Sequence, residues 1–182
     1  MEKKTFRLTY PWASEGYTPD TVYELGMNEN GFTMHITTPE SDPLREKTEH
    51  QQTVCLDSCV EWFVNFDPEH NDRYFNFEVN ANGIMSVCFR KDRYDKTPLT
   101  LEDIESLGIR TVLNADNWEV FYTVPFSLIE KYIPGYTYRE GMKIRTNFYK
   151  CGGEVPHYGI WNPTGTEKPD FHLPQYFGEV TV

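Results

Sequence analysis

Glu61 and Glu78, with a set of carboxamides, recur at alternating positions within apolar stretches of this 182-residue chain. Asn65 shares the parity of Glu61, Asn76 and Asn80 that of Glu78, and Arg145, Asn147 and Tyr149 repeat the pattern farther on. In an extended chain, residues two apart share a face, so these side chains project away from a core. Asn offers donors and an acceptor, Glu only acceptors, and Arg a fixed fork of donors. That mixture suits sugar hydroxyls, each of which needs both. An aromatic ring such as Trp161 or Tyr149 would cover a sugar's apolar C–H face. Trp161 stands in the loop Tyr158-Gly159-Ile160-Trp161-Asn162-Pro163, which proline stiffens.

Catalytic readings are weaker. A glycosidase needs two carboxylates across the scissile bond, one with a raised pKa. Glu61 and Glu78 are the only pair to consider. On adjacent strands of an open sheet they would lack the apolar pocket that raises a carboxyl pKa. No serine sits in a GxSxG setting and no histidines show HExxH spacing, so no catalytic residue is assigned. Asp67, Glu69, Asn71 and Asp72 offer hard oxygens to a structural Ca²⁺, although a solvated hairpin loop is the plainer reading. Met142, His157 and His172 are the candidates if haem is bound, with a backbone hydrogen bond the plainer role for His172. Cys55, Cys59, Cys88 and Cys151 form no CxxC pair or zinc spacing and read as free, partly buried thiols.

The positioning elements are mostly strands. Phe32 to Thr38, Val60 to Phe66, Tyr74 to Asn80, Met85 to Phe89, Trp118 to Val124, Lys143 to Lys150 and Phe177 to Val182 alternate or close the chain. Asn82-Gly83 marks a hairpin turn, since both residues tolerate positive φ. Pro125 to Tyr132 reads as a short helix, and Leu101 to Ile104 as a helical turn within a loose region from Lys91 to Leu107. Glu40 to Gln52 reads as a long exposed loop. Together these predict an all-β fold, an antiparallel β-sandwich with one or two short helices, in a single domain over residues 1–182.

A formal net charge of −11 argues against nucleic-acid and anionic-membrane partners. No apolar run approaches the ~20 residues of a membrane span, and no signal peptide is read at the start. The expected location is therefore the cytoplasm, or outside the cell for a trimmed secreted chain.

Asp57-Ser58-Cys59-Val60-Glu61-Trp62-Phe63, Tyr74-Phe75-Asn76-Phe77-Glu78-Val79-Asn80 and the Asn82-Gly83 turn resemble the front half of carbohydrate-binding module family 9-like domains. Arg145 to Lys150, Trp161-Asn162-Pro163, Phe171-His172-Leu173-Pro174 and Phe177-Gly178 resemble the back half. The resemblance implies an immunoglobulin-like sandwich shared with DOMON-type domains. It implies non-catalytic binding of saccharide, often cellulose, xylan or their soluble ends, beside a glycoside hydrolase in polysaccharide catabolism. It further implies two tryptophans clamping a terminal sugar, with a Glu, an Asn and an Arg on its hydroxyls. Glu61 matches the Glu, Asn80 the Asn and Trp161 the second Trp. The first Trp would fall where Val54, Cys55 and Leu56 stand, and Glu78 occupies the expected place of the Arg. Tyr94 and Tyr158 are the aromatics left to replace the missing ring, because Trp62 lies on the core face. The expected saccharide set is thus Glu61, Glu78, Asn80, Arg145, Asn147, Tyr149, Tyr158 and Trp161. The rival readings are a partner-docking sandwich that has lost sugar binding, and a haem-binding DOMON-type domain.

Overall fold

A computed structural model describes residues 2–13 and 16–182. In chain order the strands are β1 (Lys4–Arg7), β2 (Val22–Met27), β3 (Gly31–Thr38), β4 (Cys59–Asn65), β5 (Tyr74–Asn80), β6 (Met85–Arg90), β7 (Lys96–Pro98), β8 (Arg110–Leu113), β9 (Trp118–Pro125), β10 (Lys143–Cys151), β11 (Gly159–Ile160) and β12 (Gly178–Thr181). Two short helices, α1 (Leu101–Glu105) and α2 (Phe126–Tyr132), complete the set. Thr100 and Asp103 form a reciprocal capping box that starts α1. The predicted strands and both helical segments are present. The loose region from Lys91 to Leu107 proves to hold β7 as well as α1. The short edge strands β1, β7, β8 and β11, and β2 between β1 and β3, went unpredicted, because few of their residues alternate cleanly.

The strands form two antiparallel sheets, ordered β1-β2-β3-β9-β8 and β11-β10-β4-β5-β6-β7. β12 pairs with the first half of β10 and β11 with its second half, so both lie along one flank of that long strand. The main core lies between the sheets. Val60, Trp62 and Val64, Phe75 and Phe77, Met85 and Val87, and Phe148 meet Tyr23, Phe32, Ile36, Trp118, Val120 and Val124 there. The Tyr23 hydroxyl ties the layers together, donating to the Tyr149 carbonyl and accepting from the Glu61 amide. An ion pair is enclosed as well. Lys150, wholly buried, reaches Glu40 at 3.2 Å and His157 at 2.8 Å, and Glu40 also accepts from the Trp118 indole at 2.8 Å. A buried ammonium is tolerated only when paired and hydrogen-bonded in this way.

The opposite face of the second sheet departs from expectation. It is not exposed to solvent, and every residue of β4 and β5 is buried on both faces. Phe63, Tyr74, Tyr149, Ile160 and Phe177 form a second apolar cluster there, under Trp12 and Phe171. The predicted exposed loop from Glu40 to Gln52 is also a strap. Gln51, held at positive φ, donates to the carbonyls of Val87 and Leu99 and accepts from the Val87 amide. Glu40 and Pro43 are buried. Alternation reports which residues share a face, not whether a distant loop covers that face.

Candidate functional site

Glu61 and Glu78 are direct cross-strand partners on the covered face, in the β4–β5 ladder. They form the floor of a pocket of about 260 Å³. Its walls come from three loops: Cys55 and Leu56 before β4, Arg93 after β6, and Tyr158 with Pro169 to His172 after β10. Phe171 stacks on Tyr149 at 4.2 Å, which fixes the far wall. Arg93 pairs with Asp170 at 2.6 Å and joins two of the loops. Larger concavities of about 600 and 680 Å³ lie near Glu69 and Asp72 and near Arg139 and Lys143. Several of their charged groups are held in ion pairs: Asp67 with His70, Asp72 with Lys91, Lys143 with Glu179. The smaller pocket is the one built on buried, ionisable side chains.

Glu61 is only 3% exposed and Glu78 9%. Burial is the main force raising the Glu61 pKa well above the usual carboxylate range, with Cys151 and Glu78 adding to it. Burial also raises Glu78, against the opposing pull of Arg90, Asn76 and Lys96. An open sheet would not do this; the covering loops do. The floor therefore favours the protonated form of both carboxyls more than water does, and a protonated carboxyl can donate as well as accept. Asn76 donates to Glu78 at 2.6 Å and leaves its own carbonyl oxygen without a partner. Arg90 is 4% exposed, lies 3.2 Å from His172 Nδ1 and has an unpartnered Nε. His172 takes its hydrogen bonds from side chains rather than backbone: its Nδ1 meets the Tyr74 hydroxyl at 2.9 Å, and its ring stacks on Phe63 at 5.0 Å. Burial, then Arg90, Arg93 and Lys96, hold its pKa down to about 3.

Of the predicted set, Glu61, Glu78 and Tyr158 line this pocket, and Tyr149 backs it through Phe171. The others have different partners. Asn80 donates to the Lys47 carbonyl and Asp57 and accepts from Asn82 and Ile84, bracing the β5–β6 turn. Asn147 exchanges hydrogen bonds with Asn162. Arg145 donates to the carbonyls of Gln175 and Phe177. Trp161 packs edge-on against Phe6 and Phe148 at 4.9 and 5.7 Å, on the core side of β10. A Cβ on Gly178 would come within 2.5 Å of its ring. The sheet thus separates Trp161 from the two glutamates. Asp67, Glu69 and Asp72 do not gather as a metal set; Asp67 and Asp72 pair with His70 and Lys91. His157 bonds Lys150, and Met142 accepts from the Tyr136 hydroxyl, so neither stands with His172.

Sequence reasoning missed Arg90, Arg93, Asp170, Phe171 and the thiols. Arg90 and the thiols Cys59 and Cys151 had a readable signal, strand parity. Arg90 shares the outward parity of Ser86 and Cys88 on β6, and its register partner is Tyr74. The loop residues had none, since loops carry no periodicity.

The family model for carbohydrate-binding family 9 matches residues 4–182. The chain belongs to carbohydrate-binding family 9. Members are non-catalytic carbohydrate-binding modules, and this family 9 chain accordingly has no assigned catalytic residue. Its fold is similar to that of a proposed carbohydrate-binding protein from Bacteroides uniformis ATCC 8492. The TM-score is 0.86 and the identity 25%, covering 98% of this chain and 85% of that one. Two structures of a family 9 module from Caldicellulosiruptor kristjanssonii share the fold. The complex with cellotriose has a TM-score of 0.65 at 14% identity, covering 98% of this chain and 81% of that one. The complex with glucose has 0.63 at 15%, covering 97% and 83%. No curated protein matches the sequence.

Proposed function

We propose that this family 9 chain acts as one binding module over residues 1–182 and takes saccharide in the Glu61–Glu78 pocket. The observation that carries the assignment is the conjunction of paired buried carboxyls, an arginine and aromatic rings around a single concavity. Glu61 and Glu78 would accept from hydroxyls, and donate to them when protonated, Arg93 would donate, and Tyr158 and Phe171 would cover C–H faces. A volume of about 260 Å³ falls below the ~300 Å³ at which pockets begin to hold drug-sized ligands, which favours one terminal ring over an internal stretch of polymer. The ligand class is the end of a plant-cell-wall glucan or xylan, as cellulose or its soluble fragments, presented beside a glycoside hydrolase. The glucose and cellotriose held by the Caldicellulosiruptor modules support that choice.

Titration calorimetry with glucose, xylose, cellobiose and cellotriose is the test. Binding is expected, with one sugar ring supplying most of the free energy. If the folded protein takes up none of these and none of a wider glycan array, the proposal fails.

A further inference from the structure

Three side chains with metal-binding atoms meet at the floor of the pocket. Cys59 and Cys151 are directly opposed on β4 and β10, and Glu61 follows Cys59 on the same face. Their ligand atoms all lie within 4.8 Å of one another, and all three residues are buried. The Cys151 Sγ is 2.9 Å from Glu61 Oε1. Two sulfurs and one carboxylate oxygen form a donor set for a soft or borderline dication, and zinc takes this combination in a tetrahedral arrangement. Calcium and magnesium, which prefer oxygen alone, are disfavoured. Glu61 and Cys151 also line the pocket, so the fourth position opens toward it.

Charge balance supports the same conclusion. A dication with two thiolates and a carboxylate carries one net negative charge. A buried charge of that kind needs a partner. Arg90 is buried, and its Nε has no partner among the described residues.

We infer that Cys59, Glu61 and Cys151 form a mononuclear site for a thiophilic divalent cation of the zinc class, with one coordination position facing the pocket. The inference does not depend on saccharide binding; in the metal-loaded protein Glu61 would ligate the cation, and Glu78 would be the carboxyl left to a sugar hydroxyl.

The experiment titrates reduced, chelator-treated protein with cobalt(II) chloride and then with zinc chloride. One equivalent of cobalt is expected to produce a thiolate-to-metal charge-transfer band and the visible absorption of a tetrahedral ion, and zinc is expected to bleach both. During slow unfolding in urea, zinc should retard alkylation of Cys59 and Cys151, read by mass spectrometry, while leaving the reactivity of Cys55 unchanged. Cys59→Ala and Cys151→Ala are each expected to weaken cobalt binding by at least about tenfold, since even outer partners of metal ligands cost that much. Cys88→Ala should change nothing. If a variant does not fold, the wild-type spectrum and alkylation pattern still decide. No charge-transfer band in folded wild-type protein overturns the site, as does a band that survives removal of both cysteines.

Discussion

At the scale of single residues, two aromatics three positions apart have opposite roles: Tyr158 is 37% exposed and lines the pocket, while Trp161 sits against Phe6, Phe148 and Gly178. Tyr158→Ala is expected to weaken sugar affinity by about 0.5–1.5 kcal/mol, the usual worth of an aromatic contact, with little change in stability. Trp161→Ala should instead lower stability by about 3 kcal/mol through the cavity it leaves, with sugar affinity of the folded fraction kept. Calorimetry and urea unfolding on both variants check this, and a reversed pattern would put Trp161 back in the binding site. His172 gives a pH signature. It is neutral in the folded protein, with a pKa near 3, and titrates near 6.5 when unfolded. Between those values the unfolded chain binds the additional proton. The contribution of His172 is therefore complete above about pH 6.5 and declines as pH falls toward 3. His172→Gln should flatten the slope of unfolding free energy between about pH 6 and pH 4, by up to ~1.4 kcal/mol per pH unit. Equal slopes in the two proteins would contradict it.

At the scale of elements, the pocket depends on how tightly the loops approach the sheet. Gly152, just after β10, has φ +74°, and a Cβ there would lie 1.8 Å from the Asp57 carbonyl oxygen and 2.7 Å from that of Cys55. The turn carrying Cys55 and Leu56 can close over β4 only because that Cβ is absent. Gly165 has a similar φ, +72°, but open space around it. Gly165→Ala should cost about 1 kcal/mol, the left-handed penalty alone. Gly152→Ala should cost distinctly more and also weaken sugar binding, because the Cys55–Asp57 turn must move. Urea unfolding and calorimetry on the pair decide; equal losses would mean that the turn is not held by this contact.

At the scale of the whole molecule, the second sheet works as a shared wall. One face closes the main core and the other supports the pocket. A ligand held there binds only the folded protein, so it must raise the unfolding temperature. Cellotriose at a hundred times its Kd is expected to add about 2.7 kcal/mol of stability. Thermal unfolding across a cellotriose series checks this, with Tyr158→Ala needing proportionally more sugar for the same shift. The absence of any shift at concentrations that saturate the calorimetric signal would place binding outside the cooperative fold.

Local chemistry was enough to determine the β-sandwich, its principal strands and the parity that sets Glu61 and Glu78 on one face and Trp62 on the other. Alternation is a backbone property, and the ordered motifs of the chain carried the family resemblance. Only the tertiary structure decided what lies over that face. Tyr158, Phe171 and His172 reach the β4–β5 floor from segments about 80 to 110 residues away in sequence, a distance across which no periodicity operates. Covering the face converted two carboxylates expected on an open sheet into buried carboxyls with raised pKa values, and it left Trp161 on the other side of the sheet. The reason is desolvation, which depends on what packs against a group and is not written in the group's own neighbours.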